Sequence, residues 1–343
     1  MKKVGLSIDE LFVKHDNGMD HPESPDRVYS INDMLHQTKL IDKLILQKPR
    51  DANESDIYRV HKPEYFNKIR STKGKGKVFL DQDTSTNQFS FDAALRASGS
   101  VLENIDNIID KNIERGFCIS RPPGHHAESD RAMGFCLFNH IAVGAAYLRN
   151  KGYENILVVD FDVHHGNGTQ HIFESDNHVL YFSTHQYPYY PGTGALNETG
   201  TDQGMGYTVN IPLTGGLGDD EHLAIYNELL IPVARKFKPQ FILVSAGFDS
   251  HAQDPLAGMK LSSECFAKLT RLLLDLAYEY SSGNILFLLE GGYDLNALWE
   301  STNFVFNELL DLTNSNYTEY DSTGVDKLIN QVRKVHEMQW NFG

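Results

Sequence analysis

Five short, nearly unbroken apolar runs limit what this chain can fold into: GFCIS (116–120), NILVVDF (155–161), HVLYFST (178–184), FILVSAGF (241–248) and NILFLLEGG (284–292). Strands this apolar must be covered on both faces, which is the situation of a parallel sheet clothed in helices. The intervening segments carry helical spacing. Leu223, Tyr226, Leu230, Val233 and Phe237 recur at steps of three and four, with Pro232 expected to bend the helix. Ser262 is placed as the N-cap of another, burying Phe266, Leu269, Leu272, Leu273 and Leu276. Strand alternating with helix predicts an α/β fold, a single-domain open and mainly parallel β-sheet flanked by helices. No linker or repeat divides residues 1–343, so they read as one domain. Residues from about 312 to 343 form a C-terminal extension, a loop and then a short amphipathic helix that packs on the body or on another subunit. STKGKGKVF (71–79) reads as a solvated loop.

Hydrophobic residues make up 41% and charged residues 22%, the balance of a globular protein. No apolar run approaches the roughly 18 residues of a membrane span, and MKKVGLSIDELF lacks a signal-peptide core. Three cysteines, Cys118, Cys136 and Cys265, suit a reducing compartment without disulfides, so the expected location is cytoplasmic. A net charge of −15 argues against nucleic acid as a direct partner and favours cationic ones, unless it serves solubility alone.

Ligands of open parallel sheets gather beyond the carboxyl ends of the strands, and the chain concentrates polar residues there. His125 and His126 follow the first run, behind a Pro122-Pro123-Gly124 turn whose irregular backbone can aim both rings at one place. Asp160, Asp162 and His164 follow the second run; Asp249 follows FILVSAGF and Tyr293 follows ILFLLEGG. Among fifteen histidines most are ordinary structural residues, and D-x-H alone also fits a capping Asp beside a surface His. Taken together, Asp162, His164 and Asp249 offer two carboxylates and an imidazole, a three-ligand set that leaves a divalent ion an open position. Zinc suits these donors, and iron(II) or cobalt fits them too. Gly166 and Gly168 allow close backbone approach to that loop.

HPESPDR (21–27), RPPGHHA with GFCLFNH, DFDVHHGNGTQ, PGTG (191–194), SAGFDSHAQDPLAG and LEGGYD together resemble the zinc-dependent histone deacetylase superfamily. That superfamily includes acetylpolyamine amidohydrolases and shares its fold with arginase. The resemblance implies the arginase/deacetylase fold, with one catalytic zinc on Asp162, His164 and Asp249. It implies His126 as general base and then acid, His125 as its electrostatic partner and Tyr293 as donor to the developing oxyanion, with Gly291 and Gly292 giving that loop mobility. Asp160 would hold His125 and contribute to a monovalent cation site, potassium or sodium, with Asp162, His164, Ser183 and Thr184. A second such site would use Phe173, Asp176, Val179 and Tyr207. Phe135 and Tyr190 would wall the acyl-lysine channel, with Tyr187 or Tyr189 as substitutes for the latter. Arg27 would floor an acetate channel, or else simply pair with Asp26 or Glu23.

Three positions choose within the family. Asn167 stands where one branch has Asp, the pattern of class II-like and many bacterial members, and should leave His126 less basic. Tyr293 is the competent residue where poor deacetylases have His. Leu256 replaces the glutamate with which the polyamine-selective eukaryotic member would pair a cationic amine. The reading is therefore a zinc amidohydrolase acting on acyl-lysine side chains, with an acetylpolyamine deacetylase as the alternative. A non-catalytic acyl-lysine binder and an arginase-like ureohydrolase fit less well, the latter because the PPGHH loop is foreign to it. Oligomeric state, including a homo-oligomer, is open, and nothing in the sequence accounts for His140 where Asn is usual.

Overall fold

The computed structural model describes residues 2–342. Its ten strands are β1 (Val4–Ser7), β2 (Ile45–Leu46), β3 (Val78–Phe79), β4 (Ser85–Thr86), β5 (Arg115–Cys118), β6 (Ile156–Asp160), β7 (Val179–Gln186), β8 (Thr208–Leu213), β9 (Phe241–Ala246) and β10 (Ile285–Leu289). Eight form one sheet in the order β2-β1-β5-β10-β9-β6-β7-β8, every neighbouring pair parallel. The apolar runs divide their side chains between two cores, as alternation along a strand requires. Leu157, Val159 and Phe287 face one, while Ile156, Val158, Leu286 and Leu288 face the other.

All five expected strands form; four stop short of the carboxyl ends of their runs, and the third runs on to Gln186. β1, β2 and β8 were not anticipated; the first two are short, and β8 carries Asn210 and Pro212 within its apolar pattern. The expected loop at 71–79 ends in β3, which pairs antiparallel with β4.

Ser262 caps its helix as expected, accepting from the Cys265 amide. The helix around Pro232 is not simply bent: Asp219–Ile225 passes through a π turn at Tyr226–Leu230 into Ile231–Phe237. Proline has no N–H to give the carbonyl four residues back, and the Glu228 carbonyl accepts instead from Arg333 Nη2 at 3.3 Å. Arg333 belongs to the C-terminal helix Asp326–Trp340, which packs on the body through buried Ile329, Val332 and Trp340. Trp340 Nε1 donates to the Gly206 carbonyl at 2.8 Å, and its ring meets Tyr207 and Phe237 edge-on. Among the described residues no helix is long and apolar enough to cross a membrane.

Candidate active site

β5, β10, β9 and β6 are consecutive in the sheet, and the polar residues read from sequence follow these four strands. Their carboxyl ends therefore open onto one rim. Asp162, His164 and Asp249 meet there, all buried, with donor atoms within 4.8 Å of one another. His164 Nδ1 lies 3.2 Å from Asp162 Oδ1 and 3.1 Å from Asp249 Oδ2. Each carboxylate is also held by backbone: Val163 N–H donates to Asp249 Oδ1 at 2.9 Å, and Gly291 N–H to Asp162 Oδ2 at 2.7 Å. Burial and the Asp162 charge raise the Asp249 carboxyl to about 7. Two buried carboxylates converging on one nitrogen form a donor set that fits a divalent cation, whose charge would offset this cost.

The adjacent histidines are set apart by their partners. His125 Nδ1 lies 3.0 Å from Asp160 Oδ2, which also accepts from the Tyr181 hydroxyl at 3.0 Å. Burial lowers the His125 pKa, but Asp160, Asp162 and Glu290 outweigh it and raise the value to about 10. His126 Nδ1 instead meets Asn167 Oδ1 at 2.8 Å. Burial and the charges of His125 and His164 push His126 well below the usual imidazole range. One ring thus favours charge and the other neutrality.

Phe135, Tyr189, Tyr190, Leu256 and Tyr293 surround a cavity of about 280 Å³ that reaches His126 and His164. Tyr190 meets the His126 ring edge-on at 5.2 Å, while Tyr189 stacks on His164 at 5.8 Å. Both Tyr189 and Tyr190 line the cavity, whereas Tyr187 is not among its lining residues. Phe135 adopts φ +67°, a costly conformation for a bulky residue, and its ring stands edge-on to Tyr293 at 6.0 Å. Burial and the charges of Asp249 and Asp162 raise the Tyr293 phenol well above its usual value despite the opposing Arg27, so it remains a donor.

Arg27 makes the ion pair expected with Glu23 rather than Asp26, and it also reaches the backbone before Tyr293. It pairs with Glu23 at 3.3 Å, and it donates to the carbonyls of Gly292 and Glu290 directly beneath the Tyr293 loop. Gly291 serves close approach: a Cβ there would come within 2.1 Å of Asp249 Oδ2 and 2.5 Å of Asp162 Oδ2. Gly168 is similarly constrained by the Ala127 carbonyl.

Asp160 and Ser183 are register partners on β6 and β7, with Thr184 next along, beside Asp162 and His164. Phe173, Asp176, Val179 and Tyr207 gather at the opposite end of β7: Asp176 N–H donates to the Phe173 carbonyl, and Tyr181 N–H to the Tyr207 carbonyl. The structure also accounts for His140, which pins the PPGHH loop by contacts of 2.8 Å to Ser98 Oγ and 3.1 Å to the Pro122 carbonyl.

Three acidic residues escaped the sequence reading. Buried Glu290 accepts from the Gly124 and His125 amides at 2.7 and 3.2 Å and from the Ser245 hydroxyl at 3.0 Å. Burial lifts its carboxyl to about 7 against the pull of His125. Glu128 stands behind Asn167, and Asp83, in the turn between β3 and β4, lines the cavity. A carboxylate ending the apolar run ILFLLE was the available signal for Glu290; the other two carried none.

The histone deacetylase domain matches residues 21–309. A probable deacetylase of Archaeoglobus fulgidus is 38% identical over 302 residues, covering 88% of this chain and 84% of that protein. Histone deacetylase 5 of Arabidopsis thaliana and histone deacetylase 9 of Homo sapiens are each 39% identical, over 88% and 90% of this chain. The chain spans 48% of the plant protein's length and 34% of the human one's. The crystal structure of the HDA15 HD domain aligns over 99% of this chain and 95% of its own, with TM-score 0.92 and 33% identity. That likeness identifies the parallel sheet and its helices as the arginase/deacetylase fold. Sequence motifs, sheet topology and the rim built on four adjacent strands converge on one conclusion: the chain belongs to the histone deacetylase family.

Proposed function

We propose that the protein is a zinc-dependent amidohydrolase that removes acetyl or related acyl groups from lysine side chains. One observation carries the reading. Asp162, His164 and Asp249 converge beside His126, whose burial disfavours its charge, at the end of a cavity walled by aromatic rings. These three residues would hold zinc, which when bound acts as a Lewis acid toward water and the acyl oxygen. Asp160, Asp162, His164, Ser183 and Thr184 would hold a potassium or sodium ion, and Phe173, Asp176, Val179 and Tyr207 a second.

The chain's own groups then divide the work. Phe135, Tyr189 and Tyr190 grip an apolar stem and exclude water from the amide. His126, neutral and carrying its Nδ1 hydrogen toward Asn167, accepts the proton of the attacking water at Nε2. It then gives that proton to the leaving amine nitrogen. His125, held cationic by Asp160, balances negative charge as it develops nearby. The Tyr293 hydroxyl donates to the acyl oxygen as that atom becomes an oxyanion. Arg27 beneath the loop would line the exit of acetate. Residues 1–343 act as one domain in this reading, and the helix beyond 312 supports its flank.

Asp83 supports a second substrate class. Its carboxyl lies at the cavity, where it suits the protonated amine of an acetylpolyamine, whereas Leu256 in the same wall offers no charge. Rates on matched acetyl-lysine peptide and acetylated polyamine, with a chelator control, separate the two. The expected result is a chelator-sensitive preference for the peptide. Preference for the polyamine would move the selectivity from Leu256 to Asp83, and chelator-resistant hydrolysis of both would overturn the metal-dependent reading.

A further inference from the structure

A buried carboxylate stands one step behind the histidine pair and is unused by the mechanism above. Glu128 Oε1 accepts from Asn167 Nδ2 at 2.6 Å, while Asn167 Oδ1 lies 2.8 Å from His126 Nδ1. Asn167 Nδ2 is also 3.2 Å from the His126 carbonyl. On its other side Glu128 Oε1 meets His171 Nδ1 at 2.9 Å and the Arg131 guanidinium at 3.7 Å. The backbone at Glu128 is fixed as well, its N–H donating to the Arg131 carbonyl and its own carbonyl lying 2.9 Å from His61 Nδ1.

The two ends of an amide have opposite hydrogen-bonding sense, whereas an ionised carboxylate only accepts. Contact with Glu128 therefore turns the Nδ2 end of Asn167 inward and leaves Oδ1 facing His126. An oxygen that only accepts requires hydrogen on His126 Nδ1, which leaves the Nε2 lone pair for the cavity. The polarised amide also transmits part of the carboxylate's charge. Asn167 alone is a weaker partner for an imidazolium than Asp would be, and Glu128 supplies the missing anion at one remove.

We propose that Glu128 is a positioning residue which, acting through Asn167, fixes His126 in its Nδ1–H tautomer and stabilises that ring when it takes up a proton. The inference rests on the reading of His126 as the proton carrier. Two readouts test it separately: ring nitrogen chemical shifts of His126 by NMR, which report the tautomer without turnover, and the pH dependence of kcat. Both would be recorded for the full-length metal-loaded chain, Glu128→Ala and Glu128→Gln.

Glu128→Ala is expected to mix the tautomers and lower kcat by about 10- to 100-fold, as loss of an outer hydrogen-bond partner does elsewhere, with KM unchanged. Its acid limb should move to lower pH. Glu128→Gln can still present an oxygen to Asn167, so it should keep the tautomer yet shift the acid limb in the same direction, because the charge is gone. An unchanged tautomer and pH profile in Glu128→Ala overturn the proposal. If that variant does not fold, an unmoved acid limb in Glu128→Gln overturns it. Full turnover by His126→Ala would defeat the proton-carrier reading instead, and the NMR result would still judge the link from Glu128 to the tautomer.

Discussion

His125 and His126 share a sequence neighbourhood, yet one meets the Asp160 carboxylate and the other the Asn167 amide. That single difference in partner, set by a loop bent between β5 and the helix His140–Asn150, favours charge on one imidazole and neutrality on the one beside it. Tyr293 completes the set by staying protonated. Tyr293→Phe is expected to keep its metal and lower kcat by about 10² or more, the usual cost of removing an oxyanion donor. Unchanged turnover in the metal-loaded variant would remove Tyr293 from the mechanism. The residues in quotable motifs were all legible in the sequence: Asp160, Asp162, His164, Asn167, Asp249 and Tyr293 each sit at a strand end or in a glycine turn. Glu128 and Asp83 were not, and Glu290 was signalled only as a carboxylate ending an apolar run. Their importance comes from backbone amides and side chains brought to them by other segments, and no spacing along the chain records such a meeting. His140 was noticed but unexplained for the same reason, because Ser98 and the Pro122 carbonyl reach it only through the fold.

Among the elements, near-continuous apolar character revealed the strands buried on both faces, and three-four spacing revealed the helices that cover them. It did not reveal β2, only two residues long, or the β3–β4 hairpin, whose two-residue strands pair Val78 with Thr86 and Phe79 with Ser85. Nor did it foresee the π turn at Tyr226–Leu230. Proline was rightly suspected of disturbing that helix, but the freed Glu228 carbonyl found a donor in Arg333, more than a hundred residues away in sequence. The helix that supplies Arg333 lies beyond the matched family domain and is fastened by Trp340, only 4% exposed. Trp340→Ala should lower unfolding stability by about 3 kcal/mol, the low end for removing a buried aromatic ring, because this one packs at the flank. Denaturant unfolding measures that change, and activity per folded molecule should stay as it was. A stability equal to wild type would mean that the helix is only loosely attached.

At the scale of the whole molecule, one sheet order explains why residues more than a hundred positions apart share a site. β5, β10, β9 and β6 are neighbours, so their following loops have no choice but to meet, and the polar residues after each converge. Neither that order nor the width of the aromatic cavity can be read from the runs themselves. The sequence could place the chemistry at one rim only through the general behaviour of parallel sheets. The −15 charge fits a substrate that is cationic outside the cavity, a property shared by basic peptides and polyamines, so it does not choose between them. What unites both substrate readings is the metal that three buried side chains from two loops, Asp162, His164 and Asp249, would hold. The direct test is the metal content of purified Asp249→Ala, measured with its deacetylation rate beside those of the parent protein. The parent should carry about one zinc per chain, and the variant should lose the metal together with nearly all activity. A variant that retained its full zinc complement, or that deacetylated at the parent rate without it, would contradict this account of the site.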